Sequence, residues 1–279
     1  MTSPTTGHPY LDRVLEQPGA VLAFAHRGGG SQPEIEGLEN TRTAFEHAVA
    51  LGYDYLETDV RVTRDGTLVA FHDPSLDRVS DGTGQIASLS YAQVSDAKVG
   101  GRERVPTFEE LFEAFPHACF NIDLKSEASV PALAAFVAAH DTAAQRILVG
   151  SFSVERMRAF RLATAGRVPT SAHPLEVAVF ALSPSGRLAR LLTRGRVAAL
   201  QVPHRLRVGR LRIRLVTPSL VRRVHAAGAH VHVWTVDEPD EMRLLLDAGV
   251  DGLVTDRTDV LRAVLVERGQ WRGPVGGAR

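Results

Sequence analysis

Eight short apolar runs, each followed by a stretch of helical periodicity, are spread along a chain of 279 residues. That alternation, the even number of units and a length close to the ~250 residues typical of the architecture predict an α/β fold, a (β/α)8 TIM barrel with a small insertion after the second strand. A doubly wound open sheet has the same local pattern; the length and the count of units favour closure. A single domain is expected over 1–279, with the barrel at about 21–268, the insertion at about 74–105 and flexible termini.

Val21–His26 reads as the first strand and Thr41–Leu51 as its helix. The second strand, Tyr55–Thr63, is followed by Pro74–Val105, whose Asp, Ser and Gly content, including Asp81-Gly82-Thr83-Gly84, marks an inserted segment. A helix near Phe108–Phe115 leads to strand Cys119–Lys125, helix Val130–His140, strand Ile147–Ser151 and helix Val154–Ala163. The fifth strand, Val168–Ser171, is short and precedes a helical stretch from Leu175. Strand Ala198–Val202, helix Ser219–Ala227, strand His230–Thr235, helix Asp240–Asp247, strand Gly252–Thr255 and helix Val260–Arg268 complete the set. Arg187–Arg214 is dense in arginine and fits no single period; Arg187, Arg190 and Arg194 share a face if Arg187–Leu192 is helical. The tail Gln270–Arg279 is expected to be flexible.

With 44% hydrophobic residues the chain can bury a large core, and its formal net charge of +0 gives no overall pull toward nucleic acid or a membrane. Cys119 is the single cysteine, which excludes an internal disulfide. No apolar run approaches the ~20 residues that cross a bilayer, and Met1–Pro9 lacks the basic-then-apolar pattern of a secretion signal. A soluble, cytoplasmic protein is expected.

In a barrel, functional groups sit where strands end and the following loops begin. The first strand ends in His26-Arg27-Gly28-Gly29-Gly30: a histidine that can move protons near neutral pH, an arginine that can grip phosphate oxygens, and glycines that let a ligand approach the backbone. Strand side chains alternate faces, so Glu57 and Asp59 share one face of the second strand, with Leu56, Val60 and Val62 on the other. Two carboxylates aimed into a barrel mouth are costly to desolvate unless a cation neutralises them, and hard oxygen ligands suit Mg²⁺ or Ca²⁺. Asp65-Gly66 is a hairpin signal. With those two as the central turn residues, counting back along the ladder places His72 opposite Asp59. On the third strand Asn121, Asp123 and Lys125 share a face; Asp123 can join the acids and Lys125 can hold a phosphate oxygen. Trp234, at the end of strand His230–Trp234, is placed to line a pocket, while His230 and His232 lie deeper and read as core histidines. Cys119 starts its strand, away from the mouth, and reads as packing. Asp256 follows the last strand and reads as a helix cap.

The segments Ala25-His26-Arg27-Gly28, Glu39-Asn40-Thr41, Glu57-Thr58-Asp59-Val60, His72-Asp73-Pro74, Asp81-Gly82-Thr83-Gly84, Asn121-Ile122-Asp123-Leu124-Lys125, Val233-Trp234-Thr235-Val236 and Asp251-Gly252-Leu253-Val254-Thr255-Asp256 occur in this order. Together they resemble the glycerophosphodiester phosphodiesterase family over roughly Val21 to Leu261. The resemblance implies that His26 and His72 are the catalytic acid–base pair, Arg27 and Lys125 bind phosphate, and Trp234 lines the substrate pocket. It also implies that Glu57, Asp59 and Asp123 hold one divalent metal ion, Mg²⁺ or Ca²⁺. The family commonly has a glutamate where this chain has Asp123, one methylene shorter.

The expected reaction is metal-dependent hydrolysis of a small-molecule glycerophosphodiester to an alcohol and glycerol phosphate, with His26 as base and His72 as acid. Either water or the substrate's own glycerol hydroxyl can be the nucleophile. Two alternatives stand beside it. The same chemistry can act on a lysophospholipid at a membrane surface, in the manner of a lysophospholipase D, with the arginine-rich stretch making peripheral membrane contact. A non-enzymatic barrel that binds a phosphate ligand is the other, and the His26/His72 pair argues against it. No nucleic-acid partner is expected.

Overall fold

The computed structural model describes residues 3–13, 17, 19–208 and 211–273. Helix α1 (Pro9–Asp12) precedes β1 (Leu22–His26), α2 (Arg42–Ala50), β2 (Tyr55–Val62) and β3 (Leu68–Ala70). The insertion carries α3 (Tyr91–Asp96), β4 (Lys98–Val99) and β5 (Glu103–Arg104). Then come α4 (Phe108–Ala114), β6 (Cys119–Leu124), α5 (Ser129–Ala139), α6 (Ala143–Arg146), β7 (Ile147–Gly150), α7 (Val154–Ala163), α8 (Pro174–Leu182) and α9 (Gly186–Leu192). The last part holds β8 (Ala199–Pro203), β9 (Arg205–Val208), β10 (Leu211–Arg214), α10 (Pro218–His225), β11 (His230–Trp234), α11 (Pro239–Asp247), β12 (Gly252–Thr255) and α12 (Thr258–Glu267).

Seven strands pair in the order β7–β6–β2–β1–β12–β11–β8, all parallel. The expected fifth strand is reduced to two residues: Thr170 bridges Val149 of β7 and Ser171 bridges Ala199 of β8, both parallel. Ser171 N donates to Val149 O (2.9 Å) and Ala198 N to Thr170 O (3.0 Å), so this short stave closes the barrel.

The alternation of strand side chains separates two apolar layers. Leu56, Val60, Phe120, Ile122, Leu200, Val231 and Leu253 face outward and pack with the helices. Leu22, Phe24, Tyr55, Cys119, Leu148 and Val254 fill the lower barrel interior. Tyr10 and Leu11 of α1 plug that interior from below, with Tyr10 edge-on to Tyr55 at 5.1 Å. This helix is too short to announce itself by periodicity. Cys119 is buried there as expected, and burial pushes its thiol up to about 12. The opposite end of the tail is also tied down further than the sequence suggests: Trp271 packs edge-on against Tyr53. Residues 274–279 lie outside the described residues.

The insertion has its own small core of Leu76, Ile86, Val94, Val99 and Val105 beneath Val69 and Phe71. The arginine-rich stretch divides in two. Its first part is α9, where Arg190 donates to Ala227 O (3.0 Å) beyond the end of α10, on the side away from the strand ends that carry His26 and Trp234. Its second part is the β9–β10 hairpin, which starts at the upper end of β8.

Gly28 shows how closely the first loop is packed. It adopts φ +93°, and a Cβ there would lie 2.6 Å from Ala44 Cβ and 2.9 Å from the Ala44 backbone carbon. Gly28→Ala combines overpacking with an unfavourable φ. It should destabilise the fold by roughly 1–3 kcal/mol, read as a lowered midpoint in urea; an unchanged midpoint would refute the close packing.

Candidate active site

Strand ends at the top of the barrel bring the polar side chains together. β1 ends at His26, whose Nδ1 lies 2.8 Å from Asp256 Oδ1 and whose Nε2 lies 3.8 Å from Glu57 Oε2. Burial opposes protonation of this ring, but the Glu57 charge and the Asp256 hydrogen bond outweigh it, and its pKa is raised. Arg27 follows in a left-handed conformation (φ 50°). Its amide donates to Glu57 Oε2 (3.1 Å), its Nη1 donates to Glu39 Oε1 (3.1 Å), and its Nε stands 3.0 Å from Asp59 Oδ2.

The β2–β3 hairpin corrects the expected register by one residue. Val60 pairs with Ala70, Arg61 with Val69 and Val62 with Leu68. Thr63 N donates to Thr67 O and Gly66 N to Thr63 O, so the loop has three residues, with Gly66 at φ +88° supplying the bulge position. Phe71, not His72, therefore bonds across to Asp59, through its amide (2.9 Å). His72 lies past the end of the ladder, its carbonyl held by Arg61 Nε (2.8 Å) and its Nδ1 2.6 Å from Asp73 Oδ1. It lines the same cavity as Glu57 and Asp59 all the same.

The three acids sit on adjacent strands, with Asp59 of β2 in register with Asp123 of β6. Lys125 bridges them, its Nζ 3.0 Å from Asp59 Oδ1 and 2.6 Å from Asp123 Oδ2. Burial pushes Asp59 up, but the Lys125 and Arg27 charges and the amide of Asn40 (3.1 Å) hold it below the usual carboxylate range. Burial raises Asp123, and burial together with the Asp59 charge raises Glu57 to about 7. At Glu57, burial and the Asp59 charge thus outweigh the His26, Arg27 and Lys125 charges.

His26, Arg27, Glu57, Asp59, His72, Asp123, Lys125 and Trp234 all line one cavity of ≈600 Å³. Its floor includes Asn121 and Gln201; Gln201 Nε2 donates to Asn121 Oδ1 (2.9 Å) and lies 3.2 Å from His232 Nδ1. His230 and His232 are fully buried, and burial drives His232 down to about 3, a neutral core ring as expected. Away from the acids the wall is apolar, with Phe152, Val177, Leu182, Leu206, Leu215 and Trp234.

Several working groups escaped the sequence reading. Asp256 does not cap α12, whose N-cap is Arg257 without a side-chain bond; it holds His26 instead. Glu39 bonds Arg27 and Arg78, and Arg78 also bonds Asp73, so the insertion braces both the Arg27 and His72 segments. Arg78 and His72 hold Asp73 down at about 2. Asn40 fixes Asp59 and accepts from Thr58. An aspartate on Nδ1 favours the tautomer that leaves the Nε2 lone pair free. Asp256→Asn should lose this control and lower kcat by roughly 10²-fold or more with an unchanged circular dichroism spectrum; near-normal kcat would show that Asp256 does not position His26.

The residues also fit a hard divalent cation by donor chemistry. Glu57 and Asp59, both buried, and the half-buried Asp123 line one cavity, Asp123 Oδ1 has no hydrogen-bond partner among the described residues, and Glu57 lacks enough positive charge to stay fully ionised. As they stand, with Lys125 between two of them, no three Asp, Glu, His or Cys side chains among the described residues are gathered tightly enough to share an ion.

Two imidazoles held by aspartates, facing a cavity that also carries an arginine and a lysine, define a hydrolase of phosphate esters built on a (β/α)8 barrel. The Glycerophosphoryl diester phosphodiesterase family matches residues 26–260, and the chain belongs to it. It is 39% identical over 257 residues to a probable glycerophosphodiester phosphodiesterase 2 of Mycobacterium tuberculosis, covering 91% of this chain and 94% of that one. A putative glycerophosphoryl diester phosphodiesterase of Silicibacter pomeroyi superposes with a TM-score of 0.77 at 25% identity, over 95% of this chain and 100% of the other. A phosphodiesterase of Oleispira antarctica, solved with the product sn-glycerol-3-phosphate, has the same fold (TM-score 0.68, 22% identity, 88% and 96% covered). The chain is a glycerophosphodiester phosphodiesterase by family. The family generally uses a divalent metal. No helix among the described residues is long and apolar enough to cross a membrane.

Proposed function

We propose that the chain hydrolyses a small-molecule glycerophosphodiester to glycerol phosphate and an alcohol, with the roles that follow. The observation that carries this is the pair of imidazoles, each with Nδ1 on an aspartate and each lining the cavity that holds Arg27 and Lys125. Arg27 and Lys125 bind the phosphate oxygens and orient the phosphorus toward the histidines. His26 Nε2 removes a proton from the attacking water as its oxygen forms the new P–O bond. His72 Nε2 gives a proton to the departing alcohol oxygen as the old P–O bond breaks. Glu57, Asp59 and Asp123 would hold a divalent cation, Mg²⁺ or Ca²⁺, which when bound would supply positive charge toward the phosphate. Trp234, edge-on to Phe152 at 5.8 Å, gives the substrate a firm wall. Incubation with glycerophosphocholine, followed by phosphorus NMR, should show glycerol phosphate with release of choline; no turnover with added Mg²⁺ or Ca²⁺ would reject the substrate assignment.

The apolar wall of the cavity favours a second reading of the substrate with the same chemistry. Val177, Ala181, Leu182, Leu206 and Leu215 offer nothing to a polar head group but can shelter an acyl chain. A lysophospholipid dispersed in detergent should then be cleaved with a higher kcat/KM than glycerophosphocholine; the reverse order assigns the wall to smaller substrates.

A further inference from the structure

The β9–β10 hairpin takes no part in the chemistry described above, yet it starts two residues beyond β8, at the rim of the catalytic cavity. Residues 205–214 contain five arginines and no acid, in a chain whose net charge is +0. The ladder pairs Arg205 with Arg214, Leu206 with Ile213, Arg207 with Arg212 and Val208 with Leu211. Arginine positions thus meet arginine positions and apolar positions meet apolar ones. Like charges facing each other across a ladder destabilise it, so folding alone does not account for the pattern. Arg205, Arg212 and Arg214 are exposed and in no ion pair among the described residues, whereas Arg27, Arg78, Arg104, Arg161, Arg243, Arg257 and Arg268 all have acidic partners.

Apolar side chains are exposed around the same rim. Ile213 is 49% exposed and Leu206 38%; Leu182, at the end of α8, is 84% exposed, and Phe152 63%. Leu206, Leu182 and Phe152 also line the cavity, so exposed apolar side chains reach from the rim into the site. Exposed aliphatic groups interleaved with unpaired arginines match the boundary of an anionic bilayer, where phosphates meet acyl chains. A nucleic acid would satisfy the arginines but leave Leu182 and Ile213 in water.

We propose that the β9–β10 hairpin, with Leu182 and Phe152, is a docking surface that seats the barrel mouth on an anionic lipid bilayer. The arginines meet lipid phosphates, and the aliphatic side chains enter the headgroup–acyl boundary. The proposal rests on the cavity being the catalytic mouth, but its test reads binding rather than turnover, so the two can fail separately.

The test is co-sedimentation of the full chain with vesicles of phosphatidylcholine alone and of equal parts phosphatidylcholine and phosphatidylglycerol. Binding is expected to the anionic vesicles only, and to weaken as salt is raised. Arg205→Ser with Arg212→Ser should weaken it about 25-fold, at about fivefold per arginine. Ile213→Ser should weaken it as well. None of these three residues lines the cavity, so hydrolysis of soluble glycerophosphocholine should be unchanged in each variant. Equal binding to both vesicle types, or undiminished binding by the variants, would overturn the proposal. So would binding to a single-stranded oligonucleotide in preference to anionic vesicles.

Discussion

Alanine at His26 or at His72 should lower kcat by roughly 10²- to 10⁴-fold, the contribution of one positioned acid or base. The structure gives each ring its own support. Asp256 fixes Nδ1 of His26 from the end of β12, and Asp73 fixes Nδ1 of His72 under a brace from Arg78. Neither ring belongs to the apolar layers, so truncation removes a proton carrier without opening the core. The circular dichroism spectrum and urea midpoint should therefore stay close to those of the parent. With the two histidines acting in one reaction, the double variant should lose much less than the product of the single losses. A single variant that keeps normal kcat would mean that its histidine carries no proton in the rate-limiting step.

The strand pattern was legible because parallel barrel strands are buried on both faces and separated by amphipathic helices, so each registers as a short apolar run. Even the fifth stave, only two bridged residues here, shows as Val168–Ser171. Alternation along β2 and β6 was enough to put Glu57, Asp59, Asp123 and Lys125 on the inward face. The β2–β3 register was not recoverable from Asp65-Gly66 alone, because that pair serves both a two-residue turn and a three-residue loop with a bulge. His72 reaches the cavity despite that shift because it lies beyond the ladder, where pairing no longer sets its direction. Asp256, Glu39 and Arg78 were illegible for a different reason. Their partners lie 230, 12 and 39 residues away in sequence, and only closure of the barrel and folding of the insertion bring them together. The amphipathic logic of residues 205–214 was hidden because the two-residue alternation of Arg with Leu, Val or Ile is interrupted in the sequence by Gly209-Arg210.

Removal of divalent metal should abolish turnover, and Mg²⁺ or Ca²⁺ should restore it. The electrostatics supply the motive. Glu57 is buried beside Asp59, its pKa is raised to about 7, and Asp123 is raised by its own burial. Without further positive charge, Glu57 is only partly ionised near neutral pH. A group whose proton affinity is raised in the folded state opposes folding once the pH exceeds its ordinary value, because the folded protein must then carry a charge that the unfolded chain carries at less cost. A bound divalent ion reverses this by favouring the ionised carboxylates. The effect is thus visible without any assay of activity. An ion present at a hundredfold excess over its Kd stabilises the folded state by about 2.7 kcal/mol. For a chain of this size that is a rise in Tm of roughly 5 °C. Glu57→Gln and Asp123→Asn should each remove most of that rise, while Tm of Glu57→Gln in chelator should not fall, since it relieves a buried carboxylate whose pKa is raised to about 7. Glu57→Gln thereby separates metal binding from general damage to the fold. Full turnover in chelator, together with a Tm indifferent to Mg²⁺ and Ca²⁺, would show that Arg27 and Lys125 supply all the positive charge the reaction uses.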